Sequence, residues 1–162
     1  MTFAHLTLAT RDVIATRTFL ENCFGWQPIF RPGNIEVEAA WLKITEDQQV
    51  HLLHVEGFKP SPFEAEFGRH VALFHPAGDF QALRERLQEN DATLIEPERE
   101  TPFNRFFFCD PNGYIFEVID QDGYCDESNR LSPATMAVTI ARMAGCTERA
   151  ISTTASADAP SC

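Results

Sequence analysis

No apolar run in this 162-residue chain approaches the roughly 18 residues of a membrane-spanning helix; the longest, such as 71–74 and 106–108, are far shorter. Basic residues are scarce. Thirteen Lys and Arg stand against 24 Asp and Glu, a formal charge of −11. That balance repels a phosphate backbone, so neither nucleic acid nor a membrane is expected as a partner. The five cysteines (Cys23, Cys109, Cys125, Cys146 and Cys162) include no Cys-x-x-Cys pair, which argues against a zinc ribbon or a thioredoxin-like motif. The opening MTFAHLTLATRD lacks the basic start and apolar core of a secretory signal. A cytoplasmic protein with reduced, mostly buried thiols is the expectation.

Aromatic residues stop at Tyr124. The chain is therefore read as one domain over 1–120 and a C-terminal extension over 121–162. In that extension LSPATMAVTIARM (131–143) predicts a short helix, with Ser132 as N-cap and Pro133 in the first turn. The remaining TERAISTTASADAPSC has the composition of a disordered tail.

What the first 120 residues do contain is an internal repeat. FAHLTLAT, then Asp12, then an amphipathic segment with Val13, Phe19, Leu20, Cys23 and Phe24 is matched by RHVALFHP, Asp79 and a segment with Phe80, Leu83 and Leu87. Each aspartate is a good helix N-cap, and each segment spaces its apolar residues as a helix does. Three strand-like runs follow each helix: 26–30, 36–44 and 49–55 in the first half, 93–95, 103–109 and 114–119 in the second. Turn residues separate them, most sharply Asp110-Pro111-Asn112-Gly113. The order is βαβββ twice, with module one at 1–57, module two at 68–120 and a Pro-containing linker between.

The repeat brings out four chemically capable side chains. His5 and His70 fall on the first strands, while His51 and Glu117 fall 46 and 47 residues later on the fourth. A lone strand histidine is ordinarily a packed structural residue. Recurrence at two equivalent pairs of positions is what singles these four out. Imidazole with carboxylate suits zinc, iron, nickel or manganese better than calcium. His54, three residues from His51, points to the opposite face of its strand. Arg105 and Asn104, beside the DPNG turn, are candidates for a substrate carboxylate or hydroxyl, and Phe107 for the cavity wall.

The paired modules, "HLTLATRD", "HVALF" and above all "NRFFFCDPNGYIFEVID" resemble the vicinal oxygen chelate superfamily. That superfamily includes glyoxalase I, extradiol dioxygenases, fosfomycin-resistance transferases and bleomycin-binding proteins. The resemblance covers residues 3–120, and DPNG-x-x-x-E, Asp110 through Glu117, is its most specific part. It implies an α+β fold in which two βαβββ modules form a curved, half-open barrel with helices outside, commonly as a homodimer. It also implies a divalent metal (Fe, Zn, Ni or Mn) on His5, His70 and Glu117, and a small substrate chelated through adjacent oxygens.

The fourth position separates the chemistries within the resemblance. Glyoxalase I-like enzymes carry a glutamate there, and this chain has His51 unless the strand slips to bring in Glu56. Extradiol dioxygenases resemble this chain in placing an acid/base histidine at that position, although Phe107 stands where they carry a tyrosine. The order of expectation is a dioxygenase-like metal enzyme with His51 moving a proton, then a glyoxalase I-like lyase or isomerase. A metal-free drug-binding protein comes third.

Overall fold

The computed structural model describes residues 3–124. The helix expected at 131–143 and the tail beyond it lie outside the described residues. Module one comprises β1 (His5–Thr10), α1 (Val13–Phe24), β2 (Gln27–Ile29), β3 (Ala39–Lys43) and β4 (Gln49–His54). Module two comprises β5 (Val71–His75), α2 (Phe80–Glu89), β6 (Thr93–Ile95), β7 (Arg105–Cys109) and β8 (Ile115–Asp120). The sheets run β1-β4-β3-β2 and β5-β8-β7-β6, with β1 parallel to β4 and β5 parallel to β8. The fold is α+β, two βαβββ modules, and the two sheets do not close into a barrel among the described residues.

Local chemistry explains most boundaries. Asp12 caps α1 by accepting the Ala15 N–H at 2.8 Å, and Gly25 ends it in the left-handed region at φ 69°, where a side chain would be strained. Asp79 does not do the same for α2. A 3-10 turn over Ala77–Asp79 runs directly into the helix, so Asp79 sits at φ −103°, ψ 2° and its carboxylate makes no cap bond. Strand β3 begins three residues later than the apolar pattern predicts, because the Arg31 guanidinium draws the Ile35 and Val37 carbonyls into a loop. Likewise β7 starts at Arg105 rather than Phe103, whose carbonyl accepts the Thr101 hydroxyl.

Period-two alternation divides each sheet into two faces. Leu8, Leu42, Val50 and Leu52 of sheet one and Phe106, Phe108, Phe116 and Val118 of sheet two join a single core with both helices. Phe19 and Phe24 of α1 reach across to the Phe108 ring at 6.3 and 5.9 Å. Four phenylalanines are fully buried, at about 1.5–3 kcal/mol each relative to exposure. Cys23 is buried and Cys109 half-buried, both as free thiols; burial pushes the Cys23 thiol up to about 11, and the Arg86 cation only partly opposes it.

The DPNG turn has a structural task as well as a local one. Asp110 folds it by accepting from the Asn112 and Tyr114 amides, and Gly113 adopts φ 96°. Asn112 then reaches into module one, accepting the Thr10 hydroxyl at 2.9 Å and donating to Thr16 at 3.0 Å. Tyr114 exchanges two hydrogen bonds with the Ala9 backbone. The sharpest turn in the sequence thus latches one module to the other.

Candidate metal centre

Strand register places the four candidate donors on the faces turned away from the core. His51 lies opposite Thr7, two residues beyond His5, and Glu117 lies opposite Ala72, two residues beyond His70. The two pairs are therefore equivalent in register, although His70 immediately precedes β5 rather than lying within it. Glu56 is exposed beyond the end of β4, so His51 holds the fourth-strand position.

In module one the imidazoles of His5 and His51 stack with ring centroids 4.2 Å apart and planes at 15°. Trp41, opposite His51 on β3, stacks on its other face at 4.3 Å. His51 Nε2 is 3.0 Å from the Gln49 side-chain oxygen. With Nε2–H donating there, Nδ1 keeps its lone pair. Burial, and then the charge of neighbouring His5, hold the His51 imidazole below its ordinary 6.5, so the ring is neutral at pH 7.

Module two is built differently. His70 Nε2 lies 3.5 Å from Glu117 Oε2, and Arg105 donates from Nη1 to Glu117 Oε1 at 2.7 Å. The Arg105 side chain is 3% exposed; it also donates to Glu66 of the linker and to the Arg99 carbonyl. Burial pulls its basicity down, but the carboxylates of Glu117 and Glu66 more than offset this. Phe107 meets His70 edge-on at 5.4 Å and lies under the Arg105 guanidinium. It forms the floor of the half-site, as its place on the non-core face requires.

The residues present suit a divalent ion as two half-sets. Two donors with metal bonds of about 2.0–2.2 Å sit roughly 3.0–3.5 Å apart on one ion, and the 3.5 Å between His70 Nε2 and Glu117 Oε2 meets that spacing. His5 and His51 form the other pair. Among the described residues, no three His, Cys, Asp or Glu side chains gather into one group within a single chain. His5 is thus brought to His51, not to His70 and Glu117.

The remaining candidates separate clearly. Asn104 is exposed just before β7, and its carbonyl accepts the Asp120 amide. His54 lies on the face opposite His51 and is half-buried rather than superficial. A cleft of about 820 Å³ involves Trp26, Leu73, His75 and Arg86, and none of the four donors lines it. Glu66 and Trp41 are the neighbours that sequence spacing did not assign to the site. Trp41 was legible as period-two alternation opposite His51, but nothing local marked Glu66.

Two four-stranded mixed sheets of the same strand order, each bringing its first and fourth strands together in parallel, define a class of repeated βαβββ-module proteins. The chain belongs to the Glyoxalase/Bleomycin resistance protein/Dioxygenase superfamily, whose family model matches residues 2–118. Among solved structures it is similar to the fosfomycin resistance protein FosX from Mesorhizobium loti, with 18% identity, TM-score 0.60 and coverage of 74% of this chain and 90% of that one. A mutant of FosX from Listeria monocytogenes, complexed with Mn(II) and 1S,2S-dihydroxypropylphosphonic acid, matches at 19% identity and TM-score 0.60 over 74% and 89% of the two chains. A possible glyoxalase from Bacillus cereus matches at 22% identity and TM-score 0.55, over 74% and 98%. No curated protein matches the chain. At these identities the likeness establishes the fold.

Proposed function

We propose that the protein is a divalent-metal-dependent enzyme acting on a small substrate chelated through adjacent oxygens, with His5, His70 and Glu117 as ligands. The observation that carries this reading is the charge of the module-two cluster. Arg105 with Glu117 and Glu66 sums to a formal −1 in a largely buried setting, and the His70 imidazole stands beside the free carboxylate oxygen. A buried excess charge is costly unless a cation compensates it. A bound divalent ion supplies Lewis-acid stabilisation of a developing substrate oxyanion. A second copy of the chain, in a homodimer, brings the His5 half-set to the His70–Glu117 half-set.

Within that reading the chemistry is dioxygenase-like, with His51 as the residue that moves a proton. Its ring is neutral, held by Gln49 and packed between Trp41 and His5, the arrangement of a base positioned beside a ligand. Phe107 has no proton to give, so that duty rests on His51. A glyoxalase I-like reaction instead makes His51 a fourth ligand, which requires its ring to turn out of the stack with His5 so that both imidazole planes meet at one ion. The metal-free binding reading is favoured by one observation, that three donors do not gather within one chain.

Metal analysis of the freshly purified, untagged protein, followed by Mn(II), Fe(II), Ni(II) and Zn(II) titration, tests this. Iron at stoichiometric occupancy supports the dioxygenase-like reading, and nickel or zinc supports the lyase. Failure to bind any of the four ions overturns the metal enzyme in favour of sequestration.

A further inference from the structure

We propose that Glu66, in the linker between the modules, is a positioning residue that keeps Glu117 available to a metal by neutralising the arginine that holds it. The inference rests on the metal reading above and concerns a residue outside the βαβββ repeat.

Arg105 creates a difficulty for that reading. A guanidinium 2.7 Å from Glu117 Oε1, with 3% side-chain exposure, has already claimed the carboxylate's charge. A dication arriving at Oε2 meets a fixed positive charge a few ångströms away, in a setting where water screens little. An arginine–glutamate pair alone is neutral and gives a cation no electrostatic reason to bind.

Glu66 removes the difficulty. Its Oε1 accepts from Arg105 Nη2 and, at 3.2 Å, from the Arg99 amide; its Oε2 accepts from the Glu98 amide. Its side chain is 9% exposed. Burial pushes its carboxyl up, but the Glu98 amide, the Arg105 guanidinium and the Arg99 amide outweigh that and hold it below the usual glutamate value. It is therefore a fixed anion at neutral pH. With Arg105 shared between two carboxylates, the cluster keeps one negative charge, and Oε2 of Glu117 faces His70. Arg105 ties down Oε1, so the carboxylate offers a single, oriented oxygen.

The arrangement makes metal affinity follow the formal charge of the cluster, which a loop staple alone does not do. Mn(II) binding to the full-length protein is measured by calorimetry, with a thermal melt of each variant. Wild type has a charge of −1 and is expected to bind. Glu66→Gln brings the cluster to zero and is expected to weaken binding at least about tenfold. The double variant Glu66→Gln with Arg105→Gln returns to −1 and is expected to recover most of that loss, although it has fewer hydrogen bonds than either parent. Equal affinity in wild type and Glu66→Gln overturns the inference alone, as does a double variant no better than the single one. A wild type that binds no Mn(II) overturns the metal reading and this inference with it. Should Glu66→Gln not fold, Glu66→Asp keeps the charge while shortening the reach. Affinity within about threefold of wild type is expected, and a loss of tenfold or more makes the role one of shape and overturns the proposal.

Discussion

The two modules share one register and offer opposite environments on it. In module one the donor pair is two imidazoles, stacked on each other and on Trp41, with no carboxylate among them. In module two the pair is an imidazole and a carboxylate over Phe107, with Arg105 and Glu66 behind them. Repetition of the fold preserved the geometry, two positions along paired parallel strands, and left the chemistry free to diverge. An aromatic half without a carboxylate suits proton movement and substrate stacking. A charged, buried half suits holding a cation.

Removing the charged half's carboxylate is the strongest way to break this contrast. Glu117→Gln leaves no carboxylate among the donors and a cluster in which Glu66 and Arg105 cancel. Divalent metal affinity is expected to fall by more than about a hundredfold, beyond the 10–100-fold typical of an outer partner. Wild-type stoichiometry in this variant refutes Glu117 as a ligand. In the aromatic half, His51→Ala is expected to keep metal occupancy while turnover of a catechol by the iron-loaded protein falls about 10²–10⁴-fold. Metal content and activity are read on one preparation. Metal lost in proportion to activity makes His51 a ligand and the chemistry glyoxalase-like.

A smaller effect sharpens the comparison by loosening the modules from each other. Asn112→Ala removes the bonds to Thr10 and Thr16 and so unties module two from these hydroxyls, which keep each other and the Asp12 backbone as partners. A loss of about 2 kcal/mol in folding stability is expected by denaturant titration. A change under about 0.5 kcal/mol shows that the DPNG turn is not the latch.

The smallest expected effect is on pH dependence, and both modules contribute. Burial is the main cause holding His51 and His75 below 6.5, and His75 Nε2 is buried without a partner. The unfolded imidazoles bind a proton more readily than the folded ones. Their contribution is therefore complete above about pH 6.5 and is lost as pH falls through that region. Apo-protein stability is expected to decline between about pH 7.5 and 5.5, and His75→Leu to flatten the decline. A wild-type curve level across that window contradicts this.

Much of the architecture was legible because it depends on neighbours in sequence. Period-two and period-3.6 patterns set the strands and helices, Asp12 and Gly25 bound α1, and Asp110 through Gly113 close the sharpest turn. Boundaries slipped where a side chain captured the backbone of its own loop, a bond that apolar periodicity does not register, as Arg31 did before β3. Asp79 failed as a cap because a 3-10 turn had already supplied helical backbone at its position.

By itself, then, the sequence determined the duplicated fold and which residues stand at equivalent places on it, because strand alternation assigns faces without reference to the rest of the molecule. Tertiary structure alone decided which donors meet. It paired His5 with His51 and His70 with Glu117, and it gave Arg105 to Glu117 and to Glu66, 12 and 39 residues away. The Arg105–Glu117 contact follows from the register of the β7–β8 hairpin, whereas the reach to Glu66 arises from how the linker packs against β7, which no local spacing encodes.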